Sequence, residues 1–377
     1  MNGDRGRAIV AGAGIIGTWH ALELAEAGFS VDHLEADAGP AGASVRNFGL
    51  VWVSGRRSGA ELDVARRARR RWEEVGASVP GIGFRPMSSL TVAADGSARA
   101  VMEAFARHPD AAARCISFLE PDEVRACNPA VQGAIEGALH CTEDAVVEPR
   151  HALGALRAHM AAVHGERYRF HPRCRVVAAA PHALLDTAGT RWEGDLIVLA
   201  TGAAYDQLPG SHAVAARLRR VRLQMLETAP YPATLTTSLA DADTLRYYPA
   251  YESAPLELLG AQTPVAAAHH LQLLLVQRLD GGLTIGDTHA YGEPFDFALS
   301  EEPTHELLDR ARRILGTELP PVQRRWQGTY AQCLDGDVCL RAEMQPGVWL
   351  VTGPGGRGMT CSPAIAADTL LAAGVTA

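Results

Sequence analysis

Arg7-Ala8-Ile9-Val10-Ala11-Gly12-Ala13-Gly14-Ile15-Ile16-Gly17 is the stretch on which the fold of this chain turns. Arg7 to Ala11 reads as a short buried strand, and the glycines that follow open a helical run from Thr18 to Ala27, with Leu22, Leu24 and Ala25 at helical spacing. Gly28 ends that helix, and Ser30 to Leu34 gives a second strand closing on Glu35. The result is a complete βαβ unit. Gly12 permits the tight turn, Gly14 lets backbone approach a pyrophosphate, and Gly17 lets helix and strand pack closely. The N–H groups at the helix start, from Ile15 and Ile16 onward, then meet phosphate charge. Glu35, with Ala36 beside it, is placed to accept hydrogen bonds from an adenosine ribose, and its charge disfavours a 2′-phosphate.

The chain has 377 residues, enough for two joined domains of roughly 100 to 200 residues each. Hydrophobic residues make up 47 % and charged residues 21 %, the balance of a globular protein that buries its own core. A net charge of −8 gives no global attraction to nucleic acid or to an anionic membrane, so an anionic substrate has to be recognised locally. All 35 basic side chains are arginine, which excludes Schiff-base and general-base chemistry by lysine. The seven cysteines (115, 127, 141, 174, 333, 339 and 361) form no Cys-x-x-Cys pair, so neither a metal site nor a disulfide framework is expected. The start, Met1-Asn2-Gly3-Asp4-Arg5, lacks an apolar signal region, and no run approaches the ~18 apolar residues of a membrane span. The expectation is a cytoplasmic enzyme.

Four later segments follow in a telling order. Ala41-Gly42-Ala43-Ser44-Val45-Arg46-Asn47-Phe48-Gly49 is a small-residue loop with polar donors. Glu143-Asp144-Ala145-Val146-Val147-Glu148-Pro149-Arg150 leads into the helical pattern Leu153, Leu156, Met160, Val163. Asp195-Leu196-Ile197-Val198-Leu199-Ala200-Thr201-Gly202 is an apolar strand ending in small residues. Val348 to Val351 forms a buried strand before Thr352-Gly353-Pro354-Gly355-Gly356-Arg357-Gly358-Met359-Thr360, which opens a helix expected from Pro363 to Leu371. Such a turn presents N–H groups at a positive helix end, suited to an anionic group.

On these motifs and their order the chain resembles the D-amino-acid oxidase superfamily of FAD-dependent oxidoreductases, which includes glycine and sarcosine oxidases. The resemblance covers nearly the whole chain. It implies that Ser44, Arg46 and Asn47 bond phosphate or flavin edge atoms, that Val176 gives adenine a backbone contact, and that Ala200, Thr201 and Gly202 lie beside the dinucleotide. Gly355, Gly356, Arg357, Gly358, Met359 and Thr360 would close the FAD site. No cysteine falls where sarcosine oxidases tether their flavin, so noncovalent FAD is expected.

The implied fold is α/β, a Rossmann-like FAD-binding domain (residues 1–85, 145–218 and 322–377) interleaved with a mainly antiparallel β-sheet substrate domain (86–144 and 219–321), as in glycine and sarcosine oxidases. Leu271 to Gln277 and Leu283 to Asp287, about a turn at Asp280-Gly281-Gly282, read as antiparallel strands. A helix from Glu61 to Gly76 puts Leu62, Ala65, Ala68, Trp72 and Val75 on one face and arginines on a solvated one. Arg56-Arg57 reads as surface charge.

Family members are expected to take hydride from the carbon beside an amine, giving an imine that water hydrolyses; the flavin carries that chemistry and the protein supplies orientation. Substrate-positioning residues are therefore expected in place of a triad. Where glycine and D-amino-acid oxidases have a Leu-Arg-Pro whose arginine clamps a carboxylate, this chain has Thr329-Tyr330-Ala331. Where sarcosine oxidases have a lysine that assists reaction with oxygen, it has Thr284 in Gly282-Leu283-Thr284-Ile285-Gly286. Ser44 to Gly49, Val51-Trp52-Val53-Ser54-Gly55, Ile285-Gly286-Asp287-Thr288-His289-Ala290-Tyr291-Gly292 and Trp326 to Ala331 are similar to a subgroup associated with phosphonate metabolism. The expected substrate is a small anionic amine, an aminophosphonate, with oxygen or another acceptor taking the electrons. A phosphonate dianion calls for arginine, tyrosine and backbone donors. Arg357, Tyr330 and His289 are the catalytic candidates, and Trp52, Arg246, Tyr247 and Tyr248 join Arg357 as substrate-binding candidates. The alternatives are an oxidase or dehydrogenase of an N-methyl or other amino acid, a monooxygenase using NAD(P)H, and a non-catalytic flavin subunit.

Overall fold

The computed structural model describes residues 5–208 and 211–375. Met1 to Asp4, on which the expectation about a signal region partly falls, lie outside the described residues. Strands β1 (Arg7–Ala11) and β2 (Ser30–Leu34) form where the sequence places them and pair in parallel. Helix α1 (Ile15–Glu26) begins at Ile15, ahead of the expected Thr18. The glycine run thus supplies both the turn and the first helical residues: Gly14 is the extended N-cap, and Gly17 sits so tightly that a Cβ there would lie 1.8 Å from the Gly12 carbonyl oxygen.

β1 lies inside a six-stranded sheet ordered 340–345, 348–352, 196–199, β1, β2, 168–171. All its pairings are parallel except the first, at the edge. Alternation along β1 divides the core. Ala8 and Val10 face a helical layer made by α1, α2 (Ala60–Ser78), Pro149–His164 and Gly358–Ala372, whereas Ile9 and Ala11 join the cluster of Leu184, which lies in a small sheet of strands 176–180, 183–186 and 191–193.

In α2 the expected face of Leu62, Ala65, Ala68, Trp72 and Val75 is buried. Arginines on its other side reach neighbouring helices, Arg71 to Glu23 at 2.9 Å and Arg67 to Asp368 at 2.8 Å. In the helix Pro149–His164 the buried stripe stops at Met160, and Val163 is 60 % exposed. The closing helix starts at Gly358, so Pro363 lies inside it instead of at its start. A proline there removes the N–H that would bond the Met359 carbonyl. The Trp72 indole N–H supplies that bond from α2, at 2.9 Å, which lets the helix run through.

The second large sheet has eight strands, ordered 322–333, 218–230, 282–286, 274–277, 238–241, 89–93, 137–141, 116–119. Every pairing is antiparallel except that of 238–241 with 89–93. The expected hairpin is present as Leu274–Gln277 and Gly282–Gly286. Val322–Cys333 pairs along nearly its whole length with Leu218–Pro230, which carries Tyr330 to the boundary between the two large sheets.

Candidate active site

A cleft of about 460 Å³ runs from the end of β2 to the eight-stranded sheet. At its first end the buried Glu35 carboxylate accepts hydrogen bonds from the N–H groups of Ala13 (2.8 Å) and Asp37 (3.1 Å). Ala36, Cys174 and Val176 complete that end. In the middle, Gly12 has φ +106° and its Cβ would lie 2.3 Å from the Ala200 carbonyl, while a Cβ on Gly14 would lie 3.0 Å from Ser44 Oγ. No acidic residue stands in the first turn of α1, and Ser44 Oγ accepts from the Ile15 N–H at 2.8 Å. The Thr201 hydroxyl lines the cleft, buried and without a hydrogen-bond partner. This is a cradle closed to side chains and open to a pyrophosphate, with a carboxylate where a ribose would sit.

The expected cofactor residues are largely gathered here. Gly12, Gly14, Ile15, Ile16, Glu35, Ala36, Ser44, Arg46, Asn47, Val176, Ala200, Thr201, Gly202, Gly355, Gly356, Gly358 and Met359 all line the cleft. Three do not: Gly17 packs against Gly12, Thr360 receives the Trp52 backbone N–H at 2.9 Å, and Arg357 points elsewhere. Asn47 is turned onto its own loop, donating to the Ala43 and Ser44 carbonyls and accepting from the Gly49 N–H.

The far end holds Phe48, Leu50, Trp52, Met225, Tyr248 and Leu274, packed as one apolar cluster, with Tyr247, Asp287, His289 and Tyr330 around it. The hydroxyls of Tyr247 and Tyr330 lie 3.4 Å apart, and a Cβ on Gly356 would come within 3.5 Å of one and 3.9 Å of the other. His289 stacks on Tyr247 at 4.3 Å between ring centroids. Its Nδ1 donates to the His270 carbonyl at 3.1 Å, and burial lowers its pKa to about 4, so the ring is neutral and Nε2 faces the Asp287 carboxylate at 3.7 Å.

A second cavity of about 520 Å³ opens beside the first and shares Arg56, Tyr247, Tyr248 and Gly356 with it. Arg57, Arg219, Arg246 and Arg357 add positive charge to its walls. Of these, Arg357 is the least available: its guanidinium donates to the carbonyls of Pro354, Gly336 and Asp337 and reaches Glu61 at 3.4 Å. Arg246 lines only this second cavity, exposed, and pairs with Asp243.

Arg56 corrects the reading of surface charge. It is 2 % exposed, lies over the Tyr248 ring at 5.3 Å, and meets Glu61 only at 3.7 Å, with its Nε unpartnered. Its loop is braced from behind. The Arg114 guanidinium donates to the Arg56 carbonyl at 2.8 and 3.2 Å, and the buried Asp144 carboxylate accepts from the N–H groups of Val53 and Ser54 and the hydroxyls of Ser54 and Ser89. Gly55 has to be glycine, since a Cβ would lie 2.7 Å from Tyr248 and 2.8 Å from Trp52. The one local signal for Arg56 is this setting between Trp52 and the acidic first turn of α2; Arg57, 51 % exposed and paired with Glu252, fits the surface reading. Asp287 is the other residue that sequence reasoning passed over, a carboxylate ending an apolar strand run.

Among the described residues no cluster is suited to a metal ion, and no helix is long and apolar enough to cross a membrane. The family model described as FAD dependent oxidoreductase (DAO) matches residues 7–370. No curated protein matches the chain by sequence. Among solved structures, glycine oxidase from Geobacillus kaustophilus superposes with a TM-score of 0.77 at 19 % identity, covering 99 % of this chain and 95 % of that one. L-proline dehydrogenase from P. horikoshii gives 0.76 at 18 %, covering 99 % and 95 %. The FAD-bound L-α-glycerophosphate oxidase from Mycoplasma pneumoniae gives 0.73 at 16 %, covering 98 % and 94 %.

Proposed function

This chain belongs to the DAO family of FAD-dependent oxidoreductases, and we propose that it oxidises the C–N bond of a small anionic amine, an aminophosphonate by preference. FAD, when bound, accepts a hydride from the carbon beside the nitrogen. The observation that carries the reading is Arg56: a buried guanidinium with an unpartnered Nε at the junction of the two cavities, beside Tyr247 and Tyr248. A desolvated arginine with open donors attracts a phosphonate or carboxylate strongly, and the two hydroxyls supply further donors. Its loop is held by Arg114 and Asp144 before any ligand arrives, so little ordering accompanies binding.

Arg56 thus takes the part that the sequence reading gave to Arg357. The apolar far end, with Trp52, Met225 and Leu274, excludes water around the reacting carbon. Glycine, L-proline and L-α-glycerophosphate, the substrates in the names of the fold neighbours, are all small molecules with an anionic group. The phosphonate preference rests on the segments Ser44–Gly49, Val51–Gly55, Ile285–Gly292 and Trp326–Ala331, and on Thr329-Tyr330-Ala331 standing where a carboxylate-clamping arginine would be. FAD is held without a covalent bond in this reading. Cys174, the cysteine lining the cleft, stands beside Glu35 at the ribose end, and burial with the Asp186 carboxylate pushes its thiol up to about 12.

The test is anaerobic bleaching of the bound flavin by 2-aminoethylphosphonate, its 1-hydroxy and N-methyl derivatives, sarcosine, glycine and D-amino acids. Bleaching by the phosphonates ahead of the carboxylates is expected. If no member of the panel bleaches the flavin, amine oxidation is wrong.

A further inference from the structure

Asp287 is a buried acid that no cation among the described residues answers. It is 5 % exposed, lines the cleft at the far end, and leaves Oδ1 without a hydrogen-bond partner. Among the described residues no arginine pairs with it; its one basic partner within 4 Å is His289 Nε2 at 3.7 Å, on a ring that burial keeps neutral. Its backbone is fixed, donating to the Gln272 carbonyl at 2.8 Å and accepting from the Gln272 N–H at 3.2 Å. The other groups near it carry no compensating charge. Tyr247, Tyr248, Tyr291 and Tyr330 are phenols whose pKa burial raises, and Asp241 is bound to Arg310. The Gln272 carboxamide is close enough to draw the Asp287 pKa down somewhat, but it is neutral and its nitrogen completes no hydrogen bond.

An unpaired carboxylate in an apolar pocket is unfavourable unless a cation arrives to meet it. The anion-binding arginine and this acid both line the same cleft, Arg56 at its junction with the second cavity and Asp287 beside His289 and Gln272. That is the arrangement a small zwitterion needs. Resting on the amine-oxidising reading above, we propose that Asp287 receives the substrate's ammonium group and takes a proton from it. The step is R–NH3+ with –COO− going to R–NH2 with –COOH: one N–H bond breaks and one O–H bond forms. The neutral amine then has the lone pair that assists departure of hydride from the adjacent carbon. The proton returns from Asp287 to water when the product leaves.

Burial raises the Asp287 pKa to about 7, so the carboxylate form needed to hold a cation prevails above that pH and is lost as pH falls through it. Lysine is absent from the chain and the His289 ring has a lowered pKa, which leaves Asp287 as the group at this end poised near neutrality.

The test is an anaerobic binding titration of the flavin-loaded enzyme, its flavin first reduced with dithionite so that no oxidation intervenes, with 2-aminoethylphosphonate and with propylphosphonate, which carries a methyl group where the first has its ammonium. At pH 8 the wild type is expected to bind the amine at least tenfold more tightly, with the preference fading below pH 6. Asp287→Asn should lose that preference while holding propylphosphonate within twofold, and Asp287→Glu should recover part of it. Retained flavin in each variant reports folding. A wild type without preference, or an Asp287→Asn enzyme that keeps it, overturns the proposal. A preference that depends on Asp287 in an enzyme that no amine reduces would leave the ammonium site standing and remove the oxidation reading instead.

Discussion

Asp287→Asn should stabilise the flavin-free protein at alkaline pH, and the size of the gain follows from linkage. The folded-state pKa of about 7 lies above the ordinary carboxyl value of 3.8. Between those values the unfolded chain has released this proton while the folded chain keeps it. Stability therefore falls as pH rises through the window, and the full penalty is present above pH 7. At 1.36 kcal/mol per pKa unit the penalty is about 4 kcal/mol. Asparagine, of nearly the same shape and never charged, avoids it. With roughly 2.1 cal/mol/K per residue of unfolding entropy, 377 residues convert about 4 kcal/mol into a Tm gain of about 5 °C. The assay is thermal unfolding of wild-type and Asp287→Asn apoprotein from pH 5 to 8.5. At pH 5 the window from 3.8 to about 7 is already more than a third crossed, so the two curves should lie about 2 °C apart there and about 5 °C apart by pH 7.5, with no further widening above that. Parallel curves would refute the reasoning, because they would mean that Asp287 ionises as easily in the folded protein as in the unfolded one.

Gly14→Ala should leave the apoprotein's Tm nearly unchanged, since the new Cβ meets only Ser44, its hydroxyl at 3.0 Å, yet it should lower FAD affinity at least tenfold by filling the pyrophosphate approach; thermal unfolding checks the first half and equilibrium dialysis the second. Arg56→Gln should raise KM for an anionic substrate ten- to a hundredfold while changing flavin content little, and a KM unchanged in steady-state assays would return the anion to Arg357. Trp72→Phe should cost about 2–4 kcal/mol by leaving the Met359 carbonyl with only a 3.4 Å contact from the Ser362 hydroxyl. Adding Pro363→Ala, which restores the N–H for that carbonyl, should recover part of the loss in chemical denaturation.

Much of the nucleotide half could be read from local sequence, because there the chemistry lies in consecutive residues. The run from Arg7 to Glu35 contains its own strand, turn, helix and acid, and each element forms within a few residues of where spacing puts it. The errors have long-range causes. A proline at 363 reads as a helix start until Trp72, from a helix nearly three hundred residues earlier, is seen donating to Met359. Val163 reads as core by spacing because periodicity reports which side of a helix is apolar, not how far its partner layer extends.

The two arginines show the same limit at the site. Arg357 sits in the glycine turn and Arg56 in a polar pair, so local context favours the first as the functional cation. What decides between them is the competition for their donors. Gly336 and Asp337 present backbone carbonyls to Arg357 and quench it, whereas Arg114 and Asp144 hold the backbone around Arg56 and leave its guanidinium open. A charge becomes a binding group when the fold desolvates it without satisfying it, and that condition depends on residues far away in sequence. Arg56 and Asp287 both meet it with opposite signs, which is why we propose a substrate carrying both charges over one carrying either alone.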